Sequence, residues 1–330
     1  MTDLEKAAYT LIRRGSARSR AELARKLGVS RPTASTAAEG LLKMGLIREC
    51  GKGKSTGGTA PILLSAAAEL AGCVGIDLGY TDRMSAVLLN SAGDIVDRKE
   101  RTFDPQDLQS IAENTKKLVQ SLSAGKKILG VAVALSAIID EKTGAVTSSV
   151  NPLFRDGGIG DLLEKNLACP VFTANRSRAA AISEAFGGAA DKEEDFALIS
   201  LGKSVGAAFW CGGKLFRGSG AAAGEIRNLR TASGERLEQV LAPEKTADAR
   251  REEILDICTD ALSQVIDIMD LNLLILSGRF ADFGEGFSAA LEERLVAAGR
   301  PARVRPARFG RFSAARGSAF RMGEIFIPCP

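Results

Sequence analysis

The chain predicts an α/β fold preceded by a short helical unit, and three observations carry that reading. Ser19 to Gly45 reads as two short helices joined by a tight turn. From about Cys73 the periodicity becomes that of strands, and one theme, strand, glycine turn, strand, turn, strand, occurs twice, from Cys73 and again from Phe196. Helical spacing alternates with nearly continuous apolar strands between and after these, as in sheets covered on both faces.

In chain order, Leu4, Ala8, Leu11 and Ile12 form a helical stripe able to cover the two helices that follow. Arg13, Arg14, Arg18 and Arg20 lie near its end, suited to solvation or to phosphate contact, which positions a protein on DNA without reading sequence. Ser19 with Glu22 is a capping-box pattern, and Ala21, Leu23, Ala24 and Leu27 supply the apolar stripe of the next helix. Gly28 can end that helix in the left-handed conformation. Ser30 can cap the following one, with Pro32 tolerated in its first turn. Ala34, Ala37, Ala38, Leu41 and Leu42 recur as the inward side of this second helix. That leaves Arg31, Thr33, Ser35, Thr36 and Lys43 for solvent or a groove, the arrangement of a DNA-reading helix-turn-helix. An ordinary helical hairpin with a solvated face is the competing reading.

Residues 46–50 and 62–64 then read as the strands of a hairpin, or wing, around a glycine-rich tip at 51–58. Gly53-Lys54-Ser55 looks like the end of a phosphate-binding P-loop, but Arg48 stands where its first glycine is required and no long helix follows. Lys52 and Lys54 are therefore expected to meet the DNA backbone. Residues 65–72 form a small-residue link. Beyond the first meander, Leu108 to Ser123 has helical spacing, and KILGVAVALSAIID is an almost continuous apolar strand. The arginine-rich run from Gly299 holds a strand around Val304, and a last helix spans Ser313 to about Ile325.

With 330 residues, 45% hydrophobic, the chain can bury two or three cores. The opening MTDLEKAAYT is charged rather than an apolar signal, and no apolar run approaches the ~18 residues of a membrane span, so a cytoplasmic location is expected. The six cysteines never form a close pair and read as reduced thiols. Histidine is absent, which removes the commonest general base and a usual zinc ligand. Residues 1–60 carry 12 Lys and Arg against 5 Asp and Glu, leaving +7 there and −3 elsewhere. A basic N-terminal unit on a mildly acidic body is the charge pattern of a DNA-binding module joined to a sensing domain.

Two such meander-and-helix halves facing across a cleft form the two-lobed actin-like, or ribonuclease H-like, sugar-kinase architecture. From Ser19 to about Ile325 the chain resembles the ROK family, whose name joins repressors, open reading frames and kinases, and specifically its regulators with an N-terminal winged helix-turn-helix. The resemblance rests on SRAELARKLGVSRPTAS, the wing ending in Gly57-Gly58, Asp77-Leu78-Gly79-Tyr80-Thr81, and GGKLFRGSGAAAGEI from Gly212 to Ile226. It implies a winged helix-turn-helix over 1–64, a linker over 65–72, and a sensing and dimerisation domain over 73–330 whose last helix returns to the first lobe.

The departures point away from catalysis. Where ROK kinases carry a motif similar to Glu-Asn-Asp-Ala-Asn, whose Asp deprotonates the sugar hydroxyl, this chain reads Ala174-Asn175-Arg176-Ser177-Arg178, and Arg176 cannot act as a base. The family's Gly-Glu-Ile-Gly-His becomes Gly224-Glu225-Ile226-Arg227-Asn228, and the cysteine-rich zinc loop is replaced by a polar run from Ser233 to Glu238. Asp77, Gly79, Thr81, Gly202 and Gly206 mark a vestigial nucleotide loop, with Lys203 where relatives have Thr. Asn151, Asn175, Arg176, Glu225, Asn228 and Glu238 mark a ligand pocket. Arg176 is expected to pair with an anionic group of a ligand, or instead to bridge to Glu225 or Glu184 and fill the pocket.

The expected protein is a non-enzymatic regulator, acting as a repressor, without cofactor or metal. It binds a double-stranded DNA operator and a sugar or anionic sugar derivative, works as a homodimer or higher homo-oligomer, and contacts no membrane. Base reading falls to Arg31, Thr33, Ser35 and Thr36, because Thr59-Ala60 replace the Arg-Pro common after the wing's glycines. An ATP-dependent sugar kinase with an added DNA-binding module, and a body whose cleft binds nothing, are the alternatives.

Overall fold

The computed structural model describes residues 2–54, 60–67, 72–80, 83–102, 107–124, 128–140, 143–155, 158–202, 204–242, 251–284 and 286–325. Its first helices begin and end where their caps dictate. Thr2 and Glu5 exchange hydrogen bonds at the start of α1 (Asp3–Arg13). Ser19 caps α2 (Arg20–Leu27), but Glu22 reaches back to the Arg18 amide (2.6 Å), so the box expected with Ser19 is only half made. Gly28 ends α2 at φ 66°, and Ser30 caps α3 (Arg31–Lys43) through the Thr33 amide. Ala21, placed in the apolar stripe of α2, is exposed. Strands β1 (Ile47–Lys52) and β2 (Ile62–Ala66) pair antiparallel, with Ile47 opposite Ala66. The three helices and this hairpin enclose one small core of Ala8, Ile12, Leu23, Ala34, Leu41 and Leu64.

The body holds two five-stranded mixed sheets built to the same plan. In the first, β3 (Gly72–Asp77), β4 (Arg83–Leu89) and β5 (Ile95–Thr102) form an antiparallel meander. After α4 (Leu108–Ser123), β6 (Ile128–Leu135) joins β3 in parallel. The apolar run expected to form one strand breaks at Ser136, whose carbonyl accepts the Ser149 hydroxyl. A separate ribbon of β7 (Ala137–Ile139) and β8 (Val146–Ser149) follows. Past α5 (Ile159–Leu167), β9 (Val171–Asn175) completes the order β5-β4-β3-β6-β9 and runs directly into α6 (Arg176–Ala185).

The second sheet repeats the plan. Here β10 (Phe196–Leu201), β11 (Val205–Cys211) and β12 (Lys214–Phe216) make the meander, followed by α7 (Leu237–Val240) and α8 (Arg251–Met269). β13 (Leu273–Gly278) then joins β10 in parallel; α9 (Phe287–Ala297), β14 (Arg303–Pro306) and α10 (Ser313–Ile325) follow, giving the order β12-β11-β10-β13-β14.

Alternate strand residues face opposite sides, which gives each sheet two cores. Val74, Ile76, Val131 and Val133 pack with Ile111, Leu118 and Leu163 of α4 and α5 on one face of the first sheet. Val87, Leu89 and Ala132 meet Ala315, Ala319 and Met322 of α10 on the other. In the second sheet Ile199, Leu201, Leu274 and Leu276 cover α8 and α9, while Leu198, Ala208, Leu273 and Ile275 meet the alanines of α6. Helices α6 and α10 thus lie between the sheets and touch at Gly317, where an added Cβ would fall 1.7 Å from the Ala179 carbonyl oxygen.

α1 is fastened to the body. The Tyr9 hydroxyl donates to the Ser91 carbonyl (2.9 Å), and Arg13 Nη1 donates to the Phe320 carbonyl (2.8 Å) with its guanidinium 4.4 Å above the Phe320 ring. Arg13, grouped by the sequence with cations for solvent or phosphate, is buried in this joint. Among the described residues no helix is long and apolar enough to cross a membrane.

Candidate functional site

Two regions gather the residues singled out by the sequence. The first is the exposed face of α3. Arg31, Thr33, Thr36 and Lys43 are exposed and Ser35 is half-buried. Two hydroxyls are partly engaged: Thr33 Oγ1 lies 2.7 Å from Ser30 Oγ, and Thr36 Oγ1 donates to the Pro32 carbonyl (3.1 Å). Lys52 and Lys54 are exposed on the hairpin, whereas Arg20 is tied to Glu49 at 3.0 Å. Gly57, Gly58 and Thr59 lie outside the described residues.

The second region is the cleft at the carboxyl ends of β3, β6, β9 and β10. β9 ends at Asn175, which caps α6 by accepting the Arg178 amide (3.0 Å) while its Nδ2 donates to the Ala137 carbonyl (2.8 Å). The cap aims Arg176, first residue of α6, into the cleft. Arg176 Nε lies 3.0 and 2.9 Å from the two carboxylate oxygens of Asp77, and Nη1 donates to the Ser200 hydroxyl (2.7 Å). The Tyr80 ring lies 4.5 Å from the guanidinium carbon. Arg176 and Asp77 are 4% and 0% exposed, so the pair is withdrawn from water, and the hydrogen bond from Arg176 to Ser200 of β10 links it to the second sheet.

The nucleotide-type glycines serve this arginine. A Cβ on Gly79 would fall 2.0 Å from Arg176 Cδ, and one on Gly202 2.7 Å from Arg176 Nη1. Backbone that would have to approach a phosphate instead closes around a guanidinium. Burial pushes the Asp77 carboxyl upward against the opposing pull of Arg176 and the Gly79 amide. For Arg176 burial is the largest single influence and acts to lower the value, but Asp77 and Tyr80 together, by charge and hydrogen bonding, outweigh it and hold the guanidinium above its ordinary value.

Neither carboxylate expected to meet Arg176 does so. Glu225 pairs with Arg227 at 2.7 Å, and buried Glu184 accepts from the Ala189 and Arg308 amides and the Ser313 hydroxyl. The carboxylate that Arg176 meets is that of Asp77.

The remaining cleft, lined by Asn175, Arg176, Gly206, Glu225 and Arg227 among others, has a volume near 30 Å³, about the space of one water. Asn151, Asn228 and Glu238 do not line it. Asn151 caps the turn at 152–154 through the Leu153 amide (3.1 Å), Asn228 is exposed, and Glu238 is half-buried on α7. Thr81 and Lys203 lie outside the described residues. The loop in place of the zinc motif closes on itself, Thr231 sharing a hydrogen bond with the Ser233 hydroxyl and donating to the Glu235 carbonyl. It offers hydroxyl and carboxylate oxygens rather than the sulfur and imidazole donors such a zinc requires.

Sequence reading missed Asp77, Tyr80 and Ser200 as partners of Arg176, since they lie far from it along the chain. It also missed a cavity of about 690 Å³ between α6, β11 and β12, walled by Phe172, Phe186, Trp210 and Phe216. The interleaving of aromatic and basic residues from Trp210 to Arg217 is the signal that could have found it.

Comparison with known proteins follows the same lines. Residues 73–230 match the ROK family model. A xylose repressor of Caldicellulosiruptor bescii is 28% identical over 220 residues, covering 63% of this chain and 53% of that protein. A glucokinase of Halalkalibacterium halodurans is 31% identical over 162 residues, covering 47% and 49%. The chain thus spans about half the length of the curated relatives it matches. The crystal structure of a ROK family transcriptional regulator, a homolog of the E. coli MLC protein, superposes with a TM-score of 0.73 at 17% identity over 98% of this chain and 96% of the other. The mixed-sheet α/β fold described above therefore matches the ROK sugar-kinase-like fold, and residues 73–230 are a ROK family domain.

Proposed function

We propose that the chain is a DNA-binding transcriptional repressor whose residues 1–64 form a winged helix-turn-helix and whose body, 73–330 beyond the link at 65–72, senses a sugar or anionic sugar derivative without phosphorylating it. The observation that carries this reading is the buried Arg176–Asp77 pair. In this reading a permanently protonated side chain stands where a kinase needs a base, and the carboxylate of the phosphate loop is taken up in neutralising it. An intact capped helical pair with an exposed α3 face supports the DNA-binding half, as do the names of the xylose repressor and the ROK regulator that the chain resembles.

In this reading the first turns of α3 enter the major groove, with Arg31, Thr33, Ser35 and Thr36 at base edges. Lys43, Lys52 and Lys54 meet phosphates, and Arg20 exchanges Glu49 for one. Two chains bind paired half-sites, and the effector shifts the equilibrium between body states that set their spacing. The test is fluorescence anisotropy on the DNA upstream of its own coding sequence, at several salt concentrations. Arg31→Ala with Ser35→Ala should weaken specific binding far more than binding to random duplex, and Lys52→Ala should weaken both alike and reduce the salt slope by about one. Equal losses from both variants would count against this placement.

The similarity to a glucokinase favours a second reading, a sugar kinase with an appended DNA-binding unit. Sugar-dependent ADP production in a coupled assay would establish it and remove the first.

A further inference from the structure

With the cleft filled by Arg176, a small-molecule effector needs another seat. We propose that the cavity between α6, β11 and β12 binds an anion carried on a ring with an apolar face, and that this is the site through which the body is controlled. The inference rests on the regulator reading for its consequence, but not for the binding itself.

Size and walls come first. At about 690 Å³ the cavity is more than twenty times the cleft and falls within the range of roughly 300–1,000 Å³ usual for small-molecule sites. Phe186 and Trp210 meet edge to face with ring centroids 5.7 Å apart, giving a stiff aromatic wall. Phe216, 47% exposed on the short edge strand β12, forms the lip. Flat apolar surfaces of this kind take an aromatic ring or the C–H face of a sugar.

Charge selects the ligand. Among the described residues the lining includes Arg14, Arg178, Lys214, Arg217 and Arg321 and no carboxylate. Two other cavities of similar volume differ: one beside α9 is bordered by Glu292 and Glu293, and one beneath α1 mixes Asp94, Asp191, Glu193 and Glu194 with its arginines. Among these three the aromatic cavity alone is lined by cations without a carboxylate, which favours a carboxylate or phosphate over a neutral sugar.

Position supplies the consequence. Arg14 is the C-cap of α1, and its guanidinium lies 4.5 Å from the Phe186 ring at the cavity wall. A ligand seated there touches both the body and the helix that carries the DNA-reading core, without passing through the cleft.

Trp210 is the chain's single tryptophan, so its emission reports on this cavity. The test titrates the full chain with 8-anilinonaphthalene-1-sulfonate, itself an anion on aromatic rings, following energy transfer from Trp210. The probe is then displaced with salicylate, glucuronate and neutral xylose. Saturable binding at one site is expected, displaced by one or both acids and not by xylose; displacement by salicylate alone or glucuronate alone identifies the ring. Lys214→Glu with Arg217→Glu, both exposed, should raise the apparent Kd at least tenfold with an unchanged melting temperature, and Phe216→Ala several-fold. Non-saturable binding, unchanged affinity in these variants, or a solution dimer that buries Phe216 and is broken by Phe216→Glu would overturn the proposal. DNA anisotropy without ligand is read separately, so failure of the DNA-binding reading leaves this result standing and the converse also holds.

Discussion

Breaking the Arg176–Asp77 pair is expected to cost more than the pair contributes. Two charges have been taken out of water, and the cost is offset by each other, by Ser200, by the Gly79 amide and by the Tyr80 ring. Arg176→Met strands a carboxylate among glycine loops and should lower unfolding free energy by about 3–5 kcal/mol in urea denaturation. Adding Asp77→Leu should restore most of the loss; a double variant as unstable as the sum of the singles would show that packing, not charge, is at stake. A second residue-scale effect concerns pH. Burial pushes the Cys258 thiol up to about 12. The unfolded thiol ionises at lower pH while the folded one keeps its proton, so stability is fully present below the unfolded value and falls as pH rises from about 9 toward 12. Urea midpoints at pH 8 and pH 10 should separate in the natural chain and separate less in Cys258→Ala.

At the scale of elements, close helix contacts replace bulk. On β3 an added Cβ at Gly75 would fall 1.8 Å from the Ala315 carbonyl oxygen, so α10 rests directly on the strand backbone. Gly75→Ala and Gly317→Ala should each cost about 1–3 kcal/mol or more by overpacking, read as a lower urea midpoint, and an unchanged midpoint would mean that α10 can slide. Elements of this kind were legible where one local rule governs them: Leu108 to Ser123 is a helix at the bounds its spacing gives, and Phe196 to Phe216 is the expected meander. The break at Ser136 was not, because an apolar run carries no mark of where its partner strand ends. The candidate site was legible in part. That Arg176 cannot serve as a base follows from its chemistry. Its partner does not, since Asp77 is 99 residues away and only the folding of β3 beside β6 and β9 brings the two together. Arg13 was misplaced for the same reason, its burial depending on a helix 307 residues further on.

For the whole molecule, on the proposed regulator reading, the joint at α1 decides whether a change in the body can reach DNA. α1 contributes Ala8 and Ile12 to the core that supports α3, and on another side it holds the body through Tyr9 and Arg13. Helix α10, which receives Arg13 at Phe320, also lies against α6 and β3, the elements that bear Arg176 and Asp77. A rigid joint makes the two regions respond as one. A loose joint would let each keep its own state, and coupling between two sites requires an element that both bias. Tyr9→Phe with Arg13→Met removes both polar fasteners while keeping apolar bulk. The expected outcome is faster amide hydrogen exchange in α1, exchange in β3 and β10 unchanged, and DNA affinity without ligand altered less than threefold. Any ligand-induced change in DNA affinity should shrink in the same variant, and by linkage the DNA-induced change in ligand affinity should shrink by an equal factor. Unchanged exchange in α1 would show that apolar contact alone holds the joint. Intact coupling despite faster exchange would move the communicating contact from Tyr9 and Arg13 to Arg14 at the wall of the aromatic cavity.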